Sequence, residues 1–218
     1  MFETSPENWR DSSLLLPHET RRWPVVARIG FISDTHGRAD RARRAIDLLV
    51  ARGAERIVHL GDVGSESVLD LLAGIPALVV FGNCDDSRNL ARYAEILGIE
   101  VAHPSTIIEF KNVAVGADAA SATETGRGVL RIGMTHGHLE REVERLFDAR
   151  IDILLHGHTH EIRDEMIQGV RVLNPGALHR AKTHTVLLLE TTTAHATWLD
   201  VDVELDASLD VNLEPTGS

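Results

Sequence analysis

The residues that could do chemistry in this sequence stand just after short apolar runs. The run Arg28-Ile-Gly-Phe-Ile-Ser leads directly into Asp34-Thr35-His36-Gly37. A carboxylate and an imidazole two positions apart share one face of an extended segment, and together they offer one oxygen and one nitrogen to a divalent cation. The arrangement recurs down the chain. Gly61-Asp62 follows Arg56–Leu60, Gly82-Asn83-Cys84-Asp85 follows Ala77–Phe81, and His136-Gly137-His138 follows Leu130–Thr135. His156-Gly157-His158-Thr159-His160 follows Ile151–Leu155. Each group is flanked by a glycine, which lets the backbone turn sharply and approach a bound group closely. Any one of these on its own is an ordinary polar turn; five in succession at apparent strand ends are a site. Asp34, His36, Asp62, Asn83, His136, His158 and His160 make seven N/O donors, too many for one ion and suited to two that share a bridging carboxylate. Two-metal sites hold their ions roughly 3.5–4 Å apart and clamp the attacking and leaving oxygens of a phosphoryl displacement. A donor set without thiolates suits Mn²⁺ first, with Fe, Ni²⁺ and Zn²⁺ also admissible, and argues against a structural zinc.

Positioning such a set requires strands that end together. Val25–Ser33 is the first expected strand, followed by a helix over Ala39–Ala51 with Ala42, Ala45, Ile46, Leu49 and Val50 on its apolar face and Gly53 as its stop. Arg56–Leu60 and Ala77–Phe81 are the next strands, with a short helix over Ser65–Ala73 between them and another from Ser87 to Leu97 after them. This is the βαβ alternation of a parallel sheet, and ligands of such sheets bind beyond the carboxyl ends of the strands. The second half predicts strands over Thr106–Phe110, Leu130–Thr135 and Ile151–Leu155, and a helix over Leu139–Ala149. An antiparallel meander over Ile162–Gln168, Val170–Leu173, Thr185–Glu190 and Thr197–Val203 follows, and a Gly/Ala/Ser/Thr-rich loop separates Gly116 from Gly128. The expected organisation is an N-terminal arm over 1–24 carrying Trp9 and Trp23, one α/β domain over 25–204 built of two packed sheets with helices outside, and an acidic tail over 205–218.

Bulk properties exclude several classes. At 218 residues and 43% apolar, the chain can bury one sizeable core. A net charge of −11 disfavours long nucleic acid, which needs a basic footprint. No apolar run is long enough for a bilayer, and the start lacks a basic-then-apolar leader pattern, so no membrane partner and a cytoplasmic location are expected. A single cysteine, Cys84, rules out an internal disulfide framework. Of the twelve histidines, His59 is expected in the core or behind the site, His138 and His156 beside the donors, and His103, His179 and His184 on surface loops.

The order Asp34-x-His36, Gly61-Asp62, Gly82-Asn83-x-Asp85, His136-Gly-His138, Gly157-His158-x-His160 closely resembles the calcineurin-like metallophosphoesterase superfamily. Gly-Asn-Cys-Asp and Asn174-Pro175-Gly176 are similar to its YfcE-like phosphodiesterase branch, and the resemblance covers about residues 27–203. It implies a four-layer α/β/β/α sandwich. It also implies a first metal held by Asp34, His36, Asp62 and His160, and a second by Asp62, Asn83, His136 and His158, with Asp62 as the bridge. A metal-bridging hydroxide would attack a small phosphodiester or nucleotide, with Asn83, Asp85 and His136 in the catalytic group and Cys84 and His138 close to the substrate. Many members carry a His where Cys84 stands, and that His is assigned to protonating the leaving group. The resemblance also admits a non-catalytic scaffold of the same fold that binds proteins, and it is compatible with a homo-oligomer. A phosphoprotein phosphatase would call for Gly-Asn-His-Glu, which this chain does not have.

Overall fold

The computed structural model describes residues 20–24, 26–111 and 128–203. The residues before Thr20, nearly all of the loop expected over Gly116–Gly128, and the acidic tail lie outside the described residues. Along the chain run β1 (Thr20–Arg22), β2 (Arg28–Ile32), α1 (Ala39–Ala51), β3 (Arg56–His59), α2 (Glu66–Asp70), β4 (Ala77–Val80), α3 (Ser87–Ile96), β5 (Glu100–Ala102) and β6 (Ser105–Lys111). They continue with β7 (Val129–Thr135), α4 (Glu140–Asp148), β8 (Ile153–Leu155), β9 (Ile162–Ile167), β10 (Val170–Pro175), β11 (Thr185–Glu190) and β12 (Ala196–Asp200).

These form two mixed sheets. The first has the order β12-β11-β2-β3-β4-β5, with β2 to β5 parallel and β11 antiparallel to β2. The second has the order β1-β6-β7-β8-β10-β9. Alternation along β2 explains the layering. Ile29 and Phe31 enter the core between the sheets with Val58, Leu78, Ile108, Phe110 and Met134, while Ile32 joins the core under the helices with Leu49 and Val79. Gly30 lies on the helix side, where a Cβ would stand 2.8 Å from the Leu49 side chain, so the missing side chain lets α1 lie close. Helix α4 closes the other face through Leu146 against Ile107, Leu154 and Val172. The result is the expected four-layer α/β/β/α sandwich.

Four local expectations change. The meander is divided: β9 and β10 pair as a hairpin in one sheet, while β11 and β12 pair in the other. Period-2 alternation says which face of a strand is wet but not which sheet the strand joins. Val50 of α1 is 48% exposed and Leu48 is buried in its place, a small rotation of the helix about its axis. Regular helix in α2 covers only Glu66–Asp70 of the longer span expected. Two strands were not expected, β5 and β1, each three residues long and too short for a period to be seen. β1 runs parallel to β6 at the sheet edge, and Trp23 just after it is buried, edge-on to Phe110 at 6.1 Å with the Arg56 guanidinium 4.2 Å over its ring.

Candidate metal centre

The parallel strands β2, β3 and β4 stop in register, and β7 and β8 of the other sheet stop facing them. The loops beyond these ends carry every candidate donor. Asp34, His36, Asp62, His158 and His160 all have positive φ, between 45° and 67°. For residues other than glycine this is a sparsely populated region costing about 1 kcal/mol or more each, and such residues cluster where surroundings fix side chains for function.

Asp34 is fully buried, and its Oδ2 accepts from Ser33 Oγ at 2.6 Å and from the His158 backbone N–H at 3.1 Å. That leaves Oδ1 facing His160 Nε2 at 3.2 Å. Gly157 is required for this approach, since a Cβ there would meet Ser33 Oγ at 1.9 Å. Asp62 lies between two imidazoles: Oδ2 is 3.5 Å from His36 Nε2, and Oδ1 is 3.4 Å from His136 Nε2. Oδ1 also accepts from the Cys84 N–H at 2.9 Å. Burial works against a charge on Asp62, yet the His136 ring beside it and the Cys84 N–H prevail and hold its carboxyl well below the usual carboxylate range. At His136 burial likewise opposes charge, but Asp62 and Asp34 prevail and the net direction is upward.

His136 Nδ1 is 2.8 Å from the Leu60 carbonyl, so it carries a proton and donates it there. In the neutral ring Nε2 then presents a lone pair towards a carboxylate oxygen that also presents one. Buried Asp34 Oδ1, His36 Nε2 and His136 Nε2 have no hydrogen-bond partner. Donor atoms converge to within 4.8 Å of one another in three overlapping groups: Asp34, His36 and His160; Asp34, Asp62 and His136; and His36, Asp62 and Cys84. Lone pairs aimed at one another without protons between them are costly in a low dielectric. A divalent cation among them removes that cost, so the residues present fit metal.

The remaining candidates are distributed around this cluster. His158 is exposed, outside those three groups, with its ring edge-on to His136 at 5.1 Å. His138 stands 5.4 Å from the His136 ring and 6.2 Å from that of His158, and its pKa is pushed down by burial and by these neighbouring imidazoles. Asn83 is exposed and donates its side-chain amide to Cys84 Sγ at 3.4 Å. Cys84 was expected near the substrate; its sulfur also comes within reach of the His36 and Asp62 donors, and its hydrogen bond to Asp62, followed by burial, pushes the thiol pKa up. Asp85 gives one carboxylate oxygen to the Gly64 N–H and the other to the Gly82 N–H, both at 2.9 Å, so it ties the loop after β3 to the loop after β4.

Of two further histidines, His59 stands where the sequence places it, in the core behind the site, while His179, expected on a surface loop, does not. His59 is fully buried and accepts from the Gly61 N–H at Nδ1, so its Nε2 proton goes to Thr35 Oγ1 at 2.9 Å, and Thr35 donates on to the Val63 carbonyl at 2.9 Å. This chain links the first and second donor loops, and burial, with His136 adding to it, lowers the His59 pKa to about 3. His179 lies with its ring 5.3 Å from that of His36. Nothing in the sequence beyond its place after Asn174-Pro175-Gly176 signalled that contact.

Residues 28–194 match the model of the calcineurin-like phosphoesterase superfamily domain, and the chain belongs to that superfamily. A phosphodiesterase of Methanocaldococcus jannaschii, MJ0936, is 28% identical over 152 residues, which is 68% of this chain and 82% of that protein. Among solved structures, that of an archaeal phosphodiesterase superposes with a TM-score of 0.59 at 24% identity, covering 79% of this chain and 99% of the other. Vps29 of Chaetomium thermophilum has the same fold, with a TM-score of 0.54 at 17% identity over 79% of this chain and 86% of its own. The protein is a phosphoesterase-family chain with a set of candidate ligands for divalent metal.

Proposed function

We propose that this protein is a metal-dependent phosphodiesterase that hydrolyses small phosphodiesters or nucleotides with two divalent cations, Mn²⁺ before Fe, Ni²⁺ or Zn²⁺. The observation that carries this reading is the set of buried, partnerless lone-pair atoms on Asp34, His36 and His136 around Asp62. The name of the Methanocaldococcus relative supports the choice of a diester.

Asp34, His36, Asp62 and His160 would hold one ion, and Asp62, Asn83, His136 and His158 the other. When bound, such ions supply positive charge to a phosphoryl group and make water acidic enough to act as a nucleophile near neutral pH. The chain's own work is preorganisation. Ser33 and the His158 amide fix which oxygen of Asp34 is free. The Leu60 carbonyl fixes the tautomer of His136, and Asp85 keeps the loops of Asp62 and Asn83 at constant separation. Asn83, Cys84 and His138 border the cluster on the side open to solvent, where a substrate would enter. The negative chain and the narrow set of donors favour a small-molecule substrate over long nucleic acid. Among the described residues no helix is long and apolar enough to cross a membrane; we place the enzyme in the cytoplasm.

The test is a screen of cyclic and linear diesters with protein loaded with Mn²⁺, alongside elemental analysis. Turnover with about two ions per chain is the expected outcome. Well-folded protein that binds metal and turns over no ester would instead favour the scaffold, whose fold is shared with Vps29.

A further inference from the structure

The rim of the cluster on the His36 side carries a charge that the reaction on a simple diester does not use. The turn after β10 is pinned to the donor loop: the Leu178 N–H donates to the Ser33 carbonyl at 3.2 Å, and Arg41 Nη1 donates to the Leu178 carbonyl at 2.7 Å. Pinning at Leu178 puts the next residue, His179, against the ring of His36 at 5.3 Å. Arg180 follows, exposed and at φ +51°, and Arg38, also exposed, lies two residues beyond His36. Neither the Arg38 nor the Arg180 guanidinium has a hydrogen bond or ion pair to any described residue. Asp202 is taken up by Arg41, Arg44 and His184. In a chain with a formal charge of −11, two guanidinium groups thus stand without a partner among the described residues beside its most chemical site.

His179, against the His36 ring and next in the chain to Arg180, adds a further polar group to the same rim. Guanidinium groups bind phosphate and carboxylate in a fixed fork, often bidentately, which makes them recognition groups for a second anion.

Resting on the phosphoesterase reading of the same site, we propose that Arg38, Arg180 and His179 form an anion subsite, and that the substrate is a phosphate ester carrying a second phosphate-like group on the arm that reaches this rim. The scissile group would occupy the Asp34–Asp62–His136 cluster, and the second anion would lie over the His36–His179 edge. Substrates with one phosphate would bind the same cluster and leave the rim uncompensated.

Binding can be measured independently of turnover. Calorimetric titration of the Mn²⁺-loaded full chain with thymidine 5′-monophosphate and with thymidine 3′,5′-bisphosphate compares one anion with two on one scaffold. The bisphosphate is expected to bind about tenfold more tightly at low salt, as two partly exposed charge-assisted contacts allow, and to lose most of that advantage at high salt. In Arg38→Gln/Arg180→Gln the ratio between the two ligands should fall to within about threefold, while a surface control, Arg92→Gln on α3, keeps the wild-type ratio. A wild-type ratio near one, or a ratio unchanged in the double variant, overturns the subsite. Turnover of bis(p-nitrophenyl) phosphate by the same wild-type sample reports separately on the hydrolase reading: its absence with the ligand ratio intact sinks that reading and leaves the anion subsite standing.

Discussion

His136 and Asp62 are joined through a single turn. The imidazole bonds the Leu60 carbonyl through Nδ1 at 2.8 Å and faces Asp62 Oδ1 through Nε2 at 3.4 Å, with Gly61 lying between the two contacts. A Cβ at Gly61 would stand 2.5 Å from Nδ1, and its φ is +108°, so glycine is needed both for space and for backbone conformation. The turn that orients the carboxylate therefore also sets the tautomer of the imidazole, and a cation among these atoms would meet a preset pair of lone pairs.

From this follows the first prediction. Two ions per chain are expected after Mn²⁺ loading, and Asp62→Asn should lose more metal and more activity than Asn83→Ala, because Asp62 faces both His36 and His136 while Asn83 is exposed at the rim. Elemental analysis of folded protein giving one ion or none would remove the binuclear centre.

The second concerns pH. His59 titrates near 3 in the folded chain and near 6.5 when unfolded, so below pH 6.5 the unfolded state binds a proton that the folded state refuses. The stability it contributes is complete above pH 6.5 and is lost as pH falls towards 3, with a limiting slope of about 1.4 kcal/mol per pH unit from this one group. Asp62, held below the usual range, adds its own loss of stability only below about pH 5, where the unfolded carboxylate takes up a proton, and so adds little between pH 7 and 5. Urea unfolding of metal-free protein at pH 7, 6 and 5 should show the fall, and His59→Gln should flatten it. A slope identical in the variant would mean other groups carry it.

Much of this site was legible in the sequence, because the donors sit at strand ends and glycines mark each close approach. Ala39–Ala51 and the strand ends at Asp34, Asp62 and Asn83 followed from period and punctuation alone. What could not be seen was tertiary. Which sheet receives β11 depends on pairing with β2, a choice local alternation does not encode. His179 became a neighbour of His36 only through the pinning of Leu178 to Ser33 and Arg41. Asp85 matched a catalytic motif, yet both its oxygens are occupied by backbone amides, and motif spacing cannot tell a carboxylate that acts from one that holds loops.

That distinction is testable as a third prediction. Asp85→Ala leaves the Gly64 and Gly82 N–H groups without their acceptor and should destabilise the fold by about 1–2 kcal/mol. Metal affinity should weaken by about tenfold through the loosened loops, with the metal-saturated variant regaining most of its activity. Full metal affinity with activity abolished would make Asp85 a direct participant instead.

A fourth prediction concerns the chain before β2. Removing residues 1–24 strips β1 from the edge of β6 and takes away Trp23, which is buried against Phe110 and bonds Glu100 through its indole N–H at 3.3 Å. Losing a buried Trp costs about 3–5 kcal/mol, which for a domain of this size lowers the melting temperature by roughly 6–20 °C. Diesterase turnover should stay within a few-fold at temperatures where the truncated protein is folded. Loss of all activity in folded protein would tie the arm to the chemistry.

The last prediction turns on Cys84. In phosphoryl transfer the leaving oxygen gathers negative charge, and a placed acid is worth roughly 10²–10⁴-fold in rate. Family members with a His at this position have an imidazolium for the task. Here the group is a thiol whose hydrogen bond to Asp62 pushes its pKa up further, making it a still poorer donor near neutral pH. Asp62 and the other donors act on the phosphoryl side, so little in the cluster reaches the leaving oxygen. The rate should therefore depend steeply on leaving-group pKa, with aryl diesters strongly preferred over alkyl ones. Cys84→His should flatten that dependence by helping alkyl esters more than aryl esters, and Cys84→Ser should leave it as it is. A wild-type slope already near zero would point to another donor, with His138 the nearest in reach of the His136–His158 edge, and would leave Cys84 as the residue that caps Asp62 through its backbone N–H.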